Sequence, residues 1–183
     1  MTDDLVCIPA APSPGKISPA AMELGADTGD GRTAPPIKTV LLVEDNEIDI
    51  FMMKRACQRS GIPHQLQIVT DGEMAIDYLS GKNAYGDRVA HPVPDLIFLD
   101  INMPRHSGFD VLKLIRAKPA FKKLPVIMLS SSTLMDDVDR AFQFGVTSYM
   151  RKIASPAEFD QTLQVILNFW LHVREPFSRS AGQ

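Results

Sequence analysis

Three short runs of consecutive apolar residues constrain the fold of this chain more than any other feature. They lie at residues 40–43, 96–99 and 126–129, and none of them alternates with polar residues. Each run is too short for a helix and rich in strand-forming residues, which is typical of strands covered on both faces in a parallel sheet. A weaker run at 66–69 predicts an edge strand, and residues 148–150 form one further short run.

Between these runs, residues recur with the 3.6-residue rhythm of helices. The five patterns are Ile48, Phe51, Met52, Arg55 and Ala56; Met74, Ala75, Tyr78 and Leu79; Phe109, Leu112, Leu114 and Ile115; Val138, Ala141 and Phe142; and Phe159, Leu163, Ile166 and Trp170. Pro156 predicts the start of the last helix, because its fixed φ suits a first helical turn. The alternation predicts an α/β fold: a doubly wound, five-stranded parallel sheet with helices on both faces.

The first 38 residues differ in composition from the rest. They hold six of the 14 prolines and four of the 11 glycines, and no Phe, Tyr or Trp. Such a segment buries too little apolar area to offset its ordering entropy. We therefore predict a disordered tail over 1–38, one domain over 39–173 and a short C-terminal tail over 174–183, too short for a DNA-binding or enzymatic output domain.

Charge and cysteine content exclude several classes of protein. With 19 basic and 22 acidic residues the net charge is −3, whereas nucleic-acid-binding domains carry a basic surplus. No run approaches the 18 apolar residues of a membrane span, and the acidic start lacks the basic region of a secretory signal. The two cysteines, Cys7 and Cys57, do not form a disulfide framework, so we expect a cytoplasmic protein without nucleic-acid or membrane partners.

Acidic residues follow the predicted strands. Glu44 and Asp45 come directly after the first, and Asp100 ends the third. Ligands of open α/β sheets bind beyond the carboxyl ends of the strands, so three carboxylates converge if strands one and three are neighbours. Their repulsion is relieved by a hard divalent cation, and oxygen ligands indicate Mg²⁺. The backbone carbonyl of Asn102 is a further candidate ligand.

Two more polar residues belong to the same predicted edge. Ser130 ends the fourth strand, and Lys152 follows the fifth. Taken singly, a serine there is typical of a helix cap, and a lysine is typically solvated. Their occurrence together with the three acids indicates a functional site.

Four motifs resemble the receiver domain of two-component response regulators. They are Val-Glu-Asp-Asn at 43–46, Leu-Asp-Ile-Asn-Met-Pro at 99–104 with Gly108, Pro-Val-Ile-Met-Leu-Ser at 125–130 and Tyr-Met-Arg-Lys at 149–152. The resemblance covers roughly 39–173 and implies the flavodoxin-like fold of that family. The loop at 81–94 and Phe-Trp-Leu at 169–171 resemble a narrower group, the single-domain regulators encoded beside bacterial and cyanobacterial phytochromes.

The resemblance implies that Asp100 is the phosphoacceptor for a partner histidine kinase, which could be a phytochrome. Asp45 would then bind Mg²⁺ directly, Glu44 through water and Asn102 through its main-chain oxygen. Lys152 and the metal would neutralise charge on the transferring phosphoryl group.

The same resemblance implies a switch. The Ser130 hydroxyl would donate to the bound phosphoryl group, and Tyr149 would change its packing in response. An ordinary half-buried strand aromatic is the alternative for Tyr149. Ile153 departs from the family pattern, which has a proline joined by a cis bond after the lysine. A cis bond to a non-proline residue costs about 2.5–4 kcal/mol, so the loop must accept that strain or follow a trans path.

The last predicted helix is apolar on more than one face. Val165, Phe169 and Val173 recur at i, i+4 and i+8, and Leu167 and Leu171 lie on yet another line. Surface helices normally have one apolar stripe, so the extra faces predict a homodimer interface. A wider buried face is the alternative.

Other function classes fit less well. A haloacid-dehalogenase-type phosphatase, a true enzyme, needs a second acid where this chain has Asn102. A flavin-binding flavodoxin needs a phosphate loop rich in Ser, Thr and Gly, whereas residues 44–46 are acidic. We therefore predict a stand-alone phosphoacceptor that is not an enzyme. The alternative is a phosphorylation-independent binding module on the same fold, and relay and endpoint roles both stay open.

Overall fold

The computed structural model describes residues 37–131, 135–152 and 155–173, with side chains as far as His172. The strands are β1 (Lys38–Val43), β2 (His64–Val69), β3 (Leu96–Asp100), β4 (Val126–Ser130) and β5 (Ser148–Arg151). The α-helices are α1 (Glu47–Arg59), α2 (Gly72–Ser80), α3 (Gly108–Ala117), α4 (Met135–Gln143) and α5 (Pro156–Asn168). Short 3₁₀ turns span Asn83–Tyr85 and Pro119–Phe121, and a π-helical turn, Phe169–Val173, follows α5.

The five strands form one parallel sheet in the order β2-β1-β3-β4-β5. This confirms the predicted α/β architecture and the edge position of β2. Strands β1 and β3 are neighbours, which is the condition under which the three acids were expected to converge. Val43 pairs with Leu99, and Ser130 pairs with Arg151. The carboxyl ends of β1, β3, β4 and β5 therefore lie side by side at one edge of the sheet.

Two hydrophobic clusters cover the two faces of the sheet. Leu41 and Val43 of β1 pack with residues of α2, α3 and α4 on one face, and Val40 and Leu42 pack with α1 and α5 on the other. Successive side chains of a strand point to opposite faces, so an apolar run with no polar interruption is what a doubly covered strand requires.

Helices α1 and α5 are where predicted, but their buried faces differ from the predicted stripes. In α1 the buried residues are Met53, Ala56 and Cys57, whereas Ile48 and Phe51 are exposed. In α5 and the turn after it, the buried residues are Phe159, Leu163, Leu167 and Leu171, spaced four apart. Leu167 and Leu171, which the sequence placed on a separate line, thus belong to the core face, and Ile166 and Trp170 pack at its margin.

Several predictions concern residues outside those described. The tails are among them, apart from Ile37 and Lys38 of the N-terminal segment, and so are Ile153 and the Val173 side chain. Among the described residues, no helix has the length and apolarity needed to cross a membrane.

Candidate functional site

Three carboxylates converge at the carboxyl edge of the sheet. Glu44, Asp45 and Asp100 each place one oxygen so that all three atoms lie within 4.8 Å of one another. Glu44 is 1% exposed and Asp100 3% exposed, whereas Asp45 faces solvent. The structure thus brings together the three acids that the sequence predicted to meet, with two of them removed from water.

Backbone N–H groups hold one oxygen of each buried acid. The N–H of Asn46 donates to Glu44 Oε1 at 3.2 Å, and the N–H of Asn102 donates to Asp100 Oδ2 at 2.8 Å. This places the main chain of Asn102 beside the acidic cluster. The second oxygen of each buried carboxylate is then left for other partners.

That second oxygen faces Lys152 in both acids. Lys152 Nζ lies 2.8 Å from Glu44 Oε2 and 2.8 Å from Asp100 Oδ1. It also donates a hydrogen bond of 2.7 Å to Asp49 Oδ2. The ammonium group is therefore surrounded by three carboxylates.

Burial shifts the pKa values of the two buried acids more than any other effect. It raises the pKa of Glu44 to about 7, with the Asp100 charge adding to the rise and the hydrogen bond with Lys152 opposing it. Burial also raises the pKa of Asp100, against the opposing effect of Lys152. For Lys152, burial lowers the pKa, but hydrogen bonds with the surrounding carboxylates outweigh it, so the pKa lies above its ordinary value.

The donor set fits a divalent cation. One ammonium group faces the buried carboxylates of Glu44 and Asp100, with exposed Asp45 beside them. Desolvation and mutual repulsion disfavour ionisation of the buried pair, and a bound cation would favour it. Carboxylate oxygens, with room for water at the exposed side, are the ligands that Mg²⁺ prefers.

Ser130 and Tyr149 lie on the strands next to the cluster. Ser130 is fully buried at the end of β4, and its carbonyl accepts a 2.7 Å hydrogen bond from the Lys152 backbone N–H. Tyr149 is half-buried on β5 and packs against the cluster formed with α2, α3 and α4. Its hydroxyl is buried and has no hydrogen-bond partner among the described residues.

Two of the three residues predicted to form a dimer interface are exposed in the structure. Val165 is 69% exposed and Phe169 is 51% exposed, so neither takes part in the core of the domain. Both are apolar, and they lie four residues apart across the end of α5.

Sequence reasoning missed three residues that surround the site. Asp49 is one, as the third partner of Lys152. The others form an ion pair between the Arg105 guanidinium, in the loop after Asp100, and the buried carboxylate of Asp71. Asp71 also caps α2 by accepting the Met74 N–H at 2.8 Å. A helix-cap pattern marks Asp71, but no local pattern marks its arginine partner.

Close packing fixes the loop after Asp100. A Cβ added to Gly108 would lie 2.1 Å from the Asp100 carbonyl oxygen, and one added to Gly72 would lie 2.5 Å from the His106 carbonyl oxygen. The Gly108 N–H donates to the Ile101 carbonyl at 2.9 Å. The backbone that follows Asp100 is therefore pressed against α3 and the start of α2.

Comparison with known proteins places this architecture in one family. The family model described as the response regulator receiver domain matches residues 40–164, more than half of the chain. The response regulator Rcp1 of Synechocystis is 35% identical over 136 residues, covering 74% of this chain and 90% of that protein. The probable methanogenesis regulatory protein FilR2 of Methanothrix harundinacea is 33% identical over 150 residues, covering 82% and 94%.

Solved structures show the same likeness. The phosphorylated cyanobacterial phytochrome response regulator RcpA is similar with a TM-score of 0.72 and 35% identity, covering 78% of this chain and 100% of that one. The Mn²⁺-bound form of Rcp1 is similar with a TM-score of 0.69 and 33% identity, covering 76% and 98%. The relatives thus include one phosphorylated and one metal-bound structure.

Proposed function

Because this chain belongs to the family of response regulator receiver domains, we propose that it accepts a phosphoryl group on Asp100 from a sensor histidine kinase. The observation that supports this most directly is the position of Asp100. Its carboxylate lies at the end of the central strand, 3% exposed, with Oδ1 2.8 Å from the Lys152 ammonium group. A carboxylate nucleophile beside a fixed cation is the arrangement that phosphoryl transfer to an aspartate requires.

We propose Mg²⁺ as the resident metal. The carboxylates of Glu44, Asp45 and Asp100 and the main chain of Asn102 would hold it. When bound, the metal neutralises charge on the phosphoryl oxygens. The Mn²⁺-bound structure of the relative Rcp1 supports a divalent ion.

The chain's own residues then have distinct roles in the transfer. An Asp100 oxygen forms a bond to the phosphorus of a phosphohistidine, the P–N bond breaks, and the imidazole leaves with the electron pair. Lys152 balances the charge that gathers on the phosphoryl oxygens, and the Ser130 hydroxyl donates a hydrogen bond to one of them. The product is an acyl phosphate on this chain, so the protein is a phosphoacceptor and not an enzyme.

The output would be a change of surface around β5. The phosphoryl group carries about −1.5 to −2 charges in place of the single charge of the carboxylate, and it would draw the Ser130 hydroxyl toward the site. Tyr149 would change its packing in response. Its buried hydroxyl has no hydrogen-bond partner in the part of the chain that the structure describes, which supports an element with a second arrangement. We propose a phytochrome-type kinase as the partner, because RcpA is described as a phytochrome response regulator.

Intact mass after incubation with acetyl phosphate and Mg²⁺ tests the phosphoacceptor proposal. We expect the mass of one phosphoryl group on the wild-type chain, and no gain with a chelator or in Asp100→Asn. Gain of a phosphoryl group by Asp100→Asn would place the acceptor elsewhere. If the wild-type chain gains nothing under any condition, the protein is better described as a phosphorylation-independent binding module.

We further propose a homodimer formed through α5. Two exposed apolar side chains, Val165 and Phe169, support it, because exposed apolar surface of this kind marks interaction sites. Sedimentation should show a dimer that Val165→Glu with Phe169→Glu dissociates. Val89→Glu is the matched control, since Val89 is exposed on the loop before β3. A wild-type monomer at micromolar concentration in both phosphorylation states would overturn the proposal.

A further inference from the structure

Lys152 shares two carboxylates with the candidate metal site. Its ammonium group contacts Glu44 and Asp100, which belong to the acidic cluster, and Asp49, which does not. A divalent cation and an ammonium group attract the same two carboxylates. Metal binding therefore weakens two of the three contacts of Lys152 and leaves the one with Asp49.

We propose that Asp49 is a positioning residue, which holds the Lys152 ammonium beside Asp100 when a metal takes up Glu44 and Asp100. The inference rests on the proposed phosphoacceptor function and adds a residue to it. Asp49 acts through Lys152 and touches neither the metal nor the phosphoryl group. The 2.7 Å hydrogen bond between Asp49 Oδ2 and Lys152 Nζ is its only means of action in this proposal.

The local structure suits Asp49 to this role. Asn46 caps α1, and its side-chain oxygen accepts the backbone N–H of Ile48 at 2.9 Å and that of Asp49 at 3.2 Å. Asp49 thus lies in a fixed first turn, where the helix dipole stabilises its negative charge. Its side chain is 38% exposed, so it stays hydrated while it binds the lysine.

There is also free space beside the Lys152–Asp49 pair. A small cavity, with a volume of about 50 Å³, is lined by Asp49, Lys152 and Glu44 together with apolar residues that include Met53 and Phe159. Asp100 does not line it. The free space beside the lysine thus lies on the Asp49 side, so the ammonium group can stay in the site when a metal takes up Glu44 and Asp100.

A competing explanation treats Asp49 as an ordinary acid at a helix N-terminus, which stabilises α1 and nothing more. Glu47 separates the two explanations. It is an exposed acid in the same first turn, and its carboxylate is not among the three that contact Lys152. Glu47→Gln removes the same charge from the same helix end without removing a lysine partner.

The test is a double-mutant cycle on the full chain, with Asp49→Asn, Lys152→Met and the double variant. Calorimetry gives the Mg²⁺ dissociation constant, and intact mass gives the phosphorylation rate with acetyl phosphate at saturating Mg²⁺. We expect Asp49→Asn to weaken Mg²⁺ binding and to slow phosphorylation by about fivefold or more, typical of coupled charged pairs. Released from Asp49, the ammonium would compete more strongly for Glu44 and Asp100.

The cycle separates the two explanations, because a positioning effect of Asp49 requires Lys152 whereas stabilisation of α1 does not. In the Lys152→Met background, Asp49→Asn should change the Mg²⁺ dissociation constant no more than Glu47→Gln does. With Lys152 present, Asp49→Glu should keep most of the wild-type Mg²⁺ affinity, because it retains the carboxylate. The proposal is overturned if Asp49→Asn matches Glu47→Gln in the wild-type background, or if its full effect persists without Lys152. The Mg²⁺ measurements stand even if the wild-type chain accepts no phosphoryl group, an outcome that would overturn the proposed function alone.

Discussion

Lys152 Nζ lies 2.8 Å from Asp100 Oδ1, although the strands that position these residues are not neighbours. Strand β4 lies between β3 and β5 in the sheet. Lys152 follows β5, and its backbone N–H donates to the carbonyl of Ser130 at the end of β4. The side chain then extends across that strand end to the acidic cluster. Displacement of the end of β4 would therefore move Lys152 directly.

Mg²⁺ should stabilise the fold through the acidic cluster. A ligand that binds only the native state contributes about 2.7 kcal/mol when its free concentration is a hundred times its Kd. Thermal unfolding with and without Mg²⁺ should show a rise in Tm for the wild-type chain and little or none for Asp45→Asn. Asp95→Asn is the control, because Asp95 lies just before β3 and binds Lys38 and Thr39 at the start of β1, away from the carboxyl ends of the strands. An equal rise in Asp45→Asn would contradict the proposed metal ligands.

Without metal, Glu44 should make stability depend on pH. Its pKa is about 7 in the folded state against an ordinary value of 4.5, so the unfolded chain releases the proton at lower pH. The contribution of Glu44 to the free energy of unfolding is fully present below pH 4.5 and is lost as pH rises through 7. The total loss is about 3 kcal/mol at most. Urea unfolding in a chelator should therefore show Glu44→Gln gaining stability relative to the wild-type chain over that window. If the free energies of unfolding of the two proteins change with pH in the same way, Glu44 is not the source of the pH dependence.

Gly108→Ala should disturb the backbone of Asp100. The added methyl group would lie 2.1 Å from the Asp100 carbonyl oxygen, which cannot move without displacing β3 or the loop after it. Overpacking of this kind costs about 1–3 kcal/mol, and we expect phosphorylation by acetyl phosphate to slow as well. Gly86→Ala is the matched control, because an added Cβ there meets nothing closer than 3.8 Å. If both variants behave alike in urea unfolding, close packing at Gly108 is unimportant.

Arg105→Gln should destabilise the fold through Asp71. The arginine has φ +64°, a region that costs energy for a residue other than glycine, and the ion pair with the buried Asp71 carboxylate helps to hold it there. Because Arg105 is more than half exposed, we expect a loss of about 1–2 kcal/mol, between surface and buried pairs. Glu73→Gln removes the exposed carboxylate that lies 3.7 Å from Arg105, and it should lower the free energy of unfolding by only a few tenths of a kcal/mol. Equal losses in denaturant unfolding would show that the burial of Asp71 adds nothing.

The sheet and the acidic cluster were predictable from sequence for a physical reason. An uninterrupted apolar run is tolerated only where both faces of a strand are covered, as they are for Leu41 and Leu42. Parallel strands also end at a common edge, so the acids at the ends of β1 and β3 meet there once the two strands are neighbours. Neither inference needs side-chain contacts.

Contacts between distant segments were not predictable in this way. Asp49 and Lys152 are 103 residues apart, and Arg105 and Asp71 are 34 apart. Such pairs depend on how α1 and the end of β5 are placed in the folded domain and on the path of one loop, which no local pattern encodes. Helix α5 shows a related limit, because it is apolar on several lines, and packing against the sheet selects the line that contains Leu167.

The strand that ends in Asp100 is the middle one of five. Its backbone is hydrogen-bonded to β1 on one side and β4 on the other, and all of its residues are buried. We expect the amide hydrogens of such a strand to exchange with solvent only when the whole domain unfolds, and those near the ends of β5 to exchange through smaller openings. The Asp100 carboxylate, the proposed phosphoacceptor, would thus keep its place through local fluctuations that release Lys152, so the site would open and close around a fixed carboxylate.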